Sequence, residues 1–139
     1  MSSELKKRNI PFSPPDMSEE EAKMASEAIL SGWITTGPRT KELERQIAEY
    51  IGVNKAVCLN SQTACAEMAL RILGIGEGDE VICQSFTFAA SANPIKYLGA
   101  KPIFVDSEED TWNISPEWLE KAIIDRKSAT GKYPKAIIP

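Results

Sequence analysis

With 139 residues, 16 Lys and Arg against 20 Asp and Glu, and a net charge of −4, the chain is long enough for one domain with a real core. Its pI near 5.0 and the absence of any basic run exclude a nucleic-acid-binding surface of the usual kind. It contains no histidine, so a Ser-His triad, a histidine-ligated metal or a histidine general base cannot be built from these residues.

No apolar stretch reaches membrane-spanning length, and the first residues do not pair a charged segment with an apolar one. Cys58, Cys65 and Cys83 show neither zinc nor CxxC spacing and are expected as small buried apolar residues in a reducing compartment. The expected location is cytoplasmic, with no metal.

Residues 1–17 are polar and then proline-rich at Pro11, Pro14 and Pro15, which predicts an extended N-terminal arm. Ser18 followed by Glu21 is a capping box, so a helix is expected from there to about Leu30, ending at Gly32. Its apolar face, Ala22, Ala25 and Ile29, is thin and suits a helix lying on the surface of a larger body. The following turn-rich link, residues 31–38, carries Trp33, Thr35 and Thr36. It is either a connector plugged by Trp33 or a loop offering hydroxyls and a stacking face to a ligand. A second helix is expected with Leu43, Ile47, Tyr50 and Ile51 as a core-facing stripe and Gly52 as its stop.

The chain is organised around residues 56–70. A short apolar run, 56–59, predicts the first strand; Asn60-Ser61 breaks it, and Ala64, Ala66, Glu67, Met68, Ala69 and Leu70 favour helix. A polar turn at a helix start brings unpartnered N–H groups and the positive end of the helix dipole together, which is an anion site. Capping by Asn60 or Ser61 competes with that reading on even terms. The turn has neither GxxxxGK[ST] nor GxGxxG spacing, which excludes the usual nucleotide loops.

Gly74-Ile75-Gly76-Glu77-Gly78-Asp79 follows a helix and precedes a strand, so it is a turn and not a dinucleotide loop. A second strand is expected over 80–85, and Ser85-Phe86-Thr87-Phe88 then places two aromatics and two hydroxyls at its carboxyl end, where open parallel sheets gather ligands. Plain packing is the competing role for either phenylalanine. Residues 89–98 read as helix, with Pro94 either near the start of a short helix capped by Asn93 or at a kink. A third strand, 102–106, ends in Asp106; 107–113 is an acidic loop. Ser115 caps a helix with Pro116 at its first position and Trp118, Leu119, Ala122 and Ile123 on the buried side. A fourth strand starts at Lys135 and is cut at Pro139.

Strands alternating with helices predict an α/β fold with a largely parallel sheet, helices on both faces and right-handed crossovers. A helix-terminus anion site, an aromatic after the next strand and a carboxylate after the third suggest a phosphorylated, planar ligand at the sheet edge. No nucleophile or base stands out.

The motifs Pro11-Phe12-Ser13, Ser31-Gly32-Trp33-Ile34-Thr35-Thr36-Gly37-Pro38, Asn60-Ser61-Gln62-Thr63-Ala64, Gly78-Asp79-Glu80-Val81-Ile82, Ser85-Phe86-Thr87-Phe88 and Gly99 to Asp106 resemble, in this order, the DegT/DnrJ/StrS family. Its members are pyridoxal-phosphate-dependent aminotransferases of nucleotide-sugar biosynthesis. The resemblance runs from about Ile10 to Pro139, and the form of the 32–38 loop is similar to the branch that aminates the 4-keto position of a UDP-linked sugar.

The resemblance implies the amino-terminal part of the large domain of a fold-type I transferase over residues 18–139. It also implies pyridoxal 5'-phosphate as cofactor, a nucleotide-linked keto-sugar and a donor such as glutamate as partners, a homodimer, and no nucleic acid or membrane. By the same route Thr63 and Ala64 match positions that hold the cofactor phosphate, Phe88 the aromatic that stacks on the pyridine ring, and Trp33, Thr35 and Thr36 a loop near the sugar nucleotide. Relatives often have tryptophan at the Phe88 position and glycine at the Cys65 position.

None of the lysines present matches the family's Schiff-base lysine, and no catalytic residue is assigned within the chain. The isolated 139 residues are accordingly expected to be inactive. With strand 56–59 at an edge, they are also expected to be poorly folded or self-associated. Two alternatives follow: a sugar dehydratase of the same family, in which histidine replaces that lysine, and a non-catalytic α/β interaction segment.

Overall fold

The computed structural model describes Pro11 and residues 13–139; the expected arm, 1–17, lies mostly outside the described residues. The chain divides into two compact units, one running to Cys58 and the other Leu59–Pro139.

The first unit is a helix pair. Helix α1 is Glu19–Leu30, begun by the expected capping box at Ser18: the Ser18 N–H donates to Glu21 Oε2 at 2.7 Å and the Glu20 N–H to Ser18 Oγ at 3.2 Å. None of its residues is buried, in keeping with its thin apolar face. Helix α2 is Pro38–Ile51, ended by Gly52 in the left-handed conformation at φ 78°, which a residue without Cβ adopts freely. Arg39 at the start of α2 bridges to Glu27 of α1 at 3.1 Å.

The stripe expected to be core is not core: Leu43 is 50 % exposed, Ile47 36 %, Tyr50 93 % and Ile51 63 %, and Ala48 is the buried residue of α2. Helical spacing shows which residues share a face; it does not supply the surface that covers them.

The expected strand 56–59 is also absent. A strand exists only through a neighbour's ladder, and among the described residues none pairs with it. The Cys58 N–H donates instead to Glu44 Oε1 at 2.9 Å.

The second unit is α/β. Helix α3, Gln62–Ile72, leads to strand β1, Glu80–Gln84; helix α4, Ala89–Tyr97, to β2, Lys101–Val105; and helix α5, Pro116–Thr130, to β3, Ala136–Ile138. The sheet is wholly parallel in the order β2-β1-β3, with Ile82 opposite Ile103 on one side and Ile137 on the other.

Both faces of β1 are covered, as a central parallel strand requires. Val81 and Cys83, both fully buried, join Leu70 of α3, Ile95 of α4, Ile75 and Ala100 in the main core. The alternate residues Glu80, Ile82 and Gln84 face the other way. There α5 lies along the sheet, and its Arg126 Nε and Nη2 donate to Glu80 at 2.8 and 2.7 Å. The expected buried side of α5 is only half covered: Leu119, Ala122 and Ile123 are half-buried, and Trp118 is 47 % exposed.

Helix α4 continues through Pro94, so the short helix capped by Asn93 is not what forms. Phe88, not Asn93, is its N-cap, and Pro94 sits fully buried inside the helix. Of the cysteines, Cys83 alone is buried; Cys58 is half-buried and Cys65 exposed, which corrects the expectation for both. Burial pushes the Cys83 thiol up.

Candidate functional site

The turn before α3 has the geometry of a helix start. Ser61 is the N-cap in extended conformation; its Oγ accepts from the Ala64 N–H at 3.2 Å and its carbonyl from Cys65 N–H at 3.1 Å. The capping reading therefore holds for Ser61. It does not exhaust the turn, because a helix start has four orphan amides. The amides of Gln62 and Thr63 find no acceptor among the described residues. They lie at the positive end of the α3 dipole, with the half-buried Thr63 hydroxyl on the same turn.

The second element is the loop that leaves β1. The Ser85 N–H continues the ladder to Val105 O at 2.8 Å, and Ser85 Oγ lies 3.4 Å from Asp106 Oδ1. Thr87 Oγ1 and Ser91 Oγ share a hydrogen bond of 2.9 Å, which ties the loop to the first turn of α4. Phe88 begins α4 with its ring 84 % exposed. Helices α3 and α4 pack on each other, so Thr63, Ala64 and Phe88 all lie at the N-terminal ends of two adjoining helices.

Trp33, Thr35 and Thr36 belong to the first unit. All three are exposed, and Trp33 is 60 % exposed. The Trp33 ring folds back on its own loop: a Cβ at Gly37 would lie 2.9 Å from its Cε3. The Trp33 N–H donates to Ser31 Oγ at 3.2 Å. The ring is thus a partial plug of the link and also a face open to solvent.

Two residues escaped the sequence reading. Gln84, 9 % exposed, ends the apolar strand β1 and donates from Nε2 to Ser107 Oγ at 2.7 Å and to the carbonyl of Trp112. The Trp112 ring stands 5.4 Å from that of Phe86, tilted by 50°. With Ser85, Asp106, Ser107 and Trp118, Phe86 and Trp112 line an open cleft of about 670 Å³ at the carboxyl ends of β1 and β2. The signal in the sequence was a buried-strand pattern ending in a polar amide.

At the opposite ends of these strands the polar contacts are structural. Lys135 Nζ reaches Asp79 Oδ2 at 2.9 Å, and this contact, with the Gly76 N–H at 2.9 Å, holds the Asp79 carboxyl below its ordinary range. Among the described residues no group of three His, Cys, Asp or Glu could hold a metal, and no helix is long and apolar enough to cross a membrane.

The chain is similar to several known proteins. EpsN of Bacillus subtilis (strain 168), named as a candidate pyridoxal phosphate-dependent aminotransferase, is 50 % identical over 132 residues, which is 94 % of this chain and 34 % of EpsN. SpsC of the same strain, a spore coat polysaccharide biosynthesis protein, is 42 % identical over 90 % of this chain and 33 % of SpsC. Among solved structures, Spr1654 of Streptococcus pneumoniae, a candidate sugar aminotransferase in its PMP form, superposes with a TM-score of 0.73 at 50 % identity, covering 84 % of this chain and 29 % of that one. A Brucella abortus DegT DnrJ EryC1 StrS aminotransferase does so with a TM-score of 0.79 at 38 % identity, over 87 % and 33 %. The chain spans about a third of the length of these relatives. A model of one family matches residues 15–139, and the chain belongs to it: the DegT/DnrJ/EryC1/StrS aminotransferase family.

Proposed function

We propose that this chain is the amino-terminal part, residues 18–139, of the large domain of a pyridoxal-phosphate-dependent sugar aminotransferase. The reaction moves an amino group from a donor such as glutamate to a keto group of a nucleotide-linked sugar, for polysaccharide or related glycan biosynthesis. The observation that carries this is the pairing of two features on adjoining helices: unclaimed amides at the start of α3 and an exposed aromatic face at the start of α4.

These residues fit the cofactor. Backbone N–H donors at a helix start suit a phosphate dianion, and a free phenyl face suits a flat heteroaromatic ring. Bound pyridoxal phosphate supplies the electron sink and the amino carrier. The chain's own part is to bind and orient. The Thr63 amide and hydroxyl take the phosphate beside Ala64, whose own amide donates to Ser61 Oγ. Phe88 sets the plane of the ring, so that the bond to be broken stands across it. Trp33, Thr35 and Thr36 offer a ring face and two hydroxyls to the sugar nucleotide.

None of the chain's lysines matches the Schiff-base lysine of the family, so the 139 residues by themselves are expected not to transaminate. A homodimer in the cytoplasm completes this reading.

The test is cofactor binding by the protein expressed from its whole reading frame. Pyridoxal phosphate is titrated into wild type, Phe88→Ala and Thr63→Val. Losing the stacked ring weakens binding by about 2- to 13-fold, the equivalent of 0.5–1.5 kcal/mol. Wild-type protein that does not bind pyridoxal phosphate, or a Phe88→Ala variant that binds it equally well, overturns the assignment.

A further inference from the structure

We infer that Gln84, Trp112 and Phe86 are positioning residues: they clamp the loop leaving β1 and thereby hold the Phe88 ring ready for its ligand. The inference rests on the role proposed for Phe88 above.

Phe88 needs such support because its side chain is left open: the Phe88 carbonyl accepts from the Ser91 N–H at 2.9 Å, but this contact fixes the backbone after the ring and not the loop before it. Its ring is 84 % exposed, and the Phe88 side chain contributes no cap to α4. A ring used to fix the plane of a cofactor has to be held through its backbone, and that backbone is the four-residue loop Ser85 to Phe88. An unsupported loop samples many conformations, and each residue ordered on binding costs affinity.

The structure supports this loop from below and from one side. Below it lies the Gln84 side chain, buried at 9 % exposure, with its amide nitrogen donating both to Ser107 Oγ at 2.7 Å and to the Trp112 carbonyl. These bonds draw the 106–115 segment over the strand ends, where Ser107 bridges to Ile114 and the Glu108 N–H donates to Asn113 O at 2.9 Å. Trp112 takes up φ 61°, the one non-glycine residue at positive φ among the described residues. That conformation is unfavourable for a bulky residue and is retained where the surroundings determine it. Its consequence is visible: the Trp112 ring is delivered to Phe86, centroid to centroid 5.4 Å.

Phe86 is two residues from Phe88, and Ser85 and Thr87 are tied to Asp106 and Ser91 at 3.4 and 2.9 Å. Every residue of the loop before Phe88 is therefore held, and Phe86 is held by the Gln84–Trp112 couple.

The experiment reads the Phe88 ring directly. Para-fluorophenylalanine is placed at position 88 of the protein expressed from its whole reading frame, and fluorine NMR is recorded without cofactor. Wild type gives one narrow resonance. Trp112→Ala broadens it at least two-fold or splits it, and Trp112→Phe, which keeps a ring against Phe86, restores the narrow line. Phe86→Leu serves as a second variant should Trp112→Ala fail to fold, with the same broadening expected. Pyridoxal phosphate binding is measured in parallel and weakens about 3- to 10-fold in Trp112→Ala.

An unchanged resonance in folded Trp112→Ala and in Phe86→Leu overturns the clamp. A purely structural role for Trp112 would lower the unfolding midpoint and leave the resonance alone. If wild type binds no pyridoxal phosphate, the proposed function fails, and the fluorine result still decides the clamp.

Discussion

Arg126 of α5 grips Glu80 of β1 with a two-toothed contact, Nε to Oε2 at 2.8 Å and Nη2 to Oε1 at 2.7 Å, across 46 positions of sequence. Lys101 stands 3.6 Å from the same carboxylate. The Arg126 guanidinium, the largest cause, holds the Glu80 carboxyl below its ordinary value of 4.5. A carboxylate with a lowered folded pKa stabilises above its ordinary value, and that contribution is lost as pH falls through the lowered value. Glu80→Gln is therefore expected to reduce the thermal midpoint by a few degrees at neutral pH. The gap to wild type should narrow as the medium is acidified below the glutamate range. Thermal scans across pH check this, and a gap that widens in acid contradicts it.

The core is small and Ile95 is at its centre, fully buried against Leu70, Val81 and Cys83. Ile95→Ala removes three heavy atoms from a site that cannot collapse without moving α4 off the sheet. The expected cost is about 2–5 kcal/mol, a large part of the roughly 5–15 kcal/mol that holds a domain together. Urea unfolding of the variant measures it.

Gly37 has an ordinary extended backbone, so its glycine is required by space and not by conformation. Gly37→Ala pushes against the Trp33 ring, which is exposed enough to swing away. The expected outcome is a shift in Trp33 fluorescence and a stability change below about 1 kcal/mol. Emission spectra in a background with Trp112→Phe and Trp118→Phe isolate that signal.

The outward face of α2 presents Leu43, Ile47 and Tyr50 at 50 %, 36 % and 93 % exposure. Contiguous apolar surface of this kind favours association. The 139 residues by themselves are expected to sediment as more than a monomer, and Leu43→Glu to shift the distribution toward monomer. A monomer at high concentration with one steep unfolding transition contradicts this.

How legible the molecule was in its sequence differed by kind of feature. The ends of helices read well: Ser18, Ser61 and Ser115 cap as expected, and Gly52 stops α2, because a cap is a contact within three or four residues of chain. Strands β1, β2 and β3 stood out because Val81-Ile82-Cys83, Ile103-Phe104-Val105 and Ile137-Ile138 are apolar runs set between turns. Residues 56–59 look the same in sequence and are not a strand, since pairing is a property of two segments. The turn at Ser61 and the Ser85–Phe88 loop could be named in advance by their place between elements. Gln84 and Trp112 could not, because their meeting spans 28 positions and depends on a positive φ that a tryptophan adopts only in this setting.

What the sequence alone determined here was where helices start and stop, which apolar runs are candidates for strands, and the family to which the ordered motifs point. The tertiary structure decided which apolar faces are covered, that the buried Gln84 amide holds two residues of the 106–115 segment, and that Phe88 stands exposed at the head of α4. The physical reason is range. Capping and periodicity act within a turn or two of chain, whereas burial and hydrogen bonding between distant segments exist only once the sheet has brought them together.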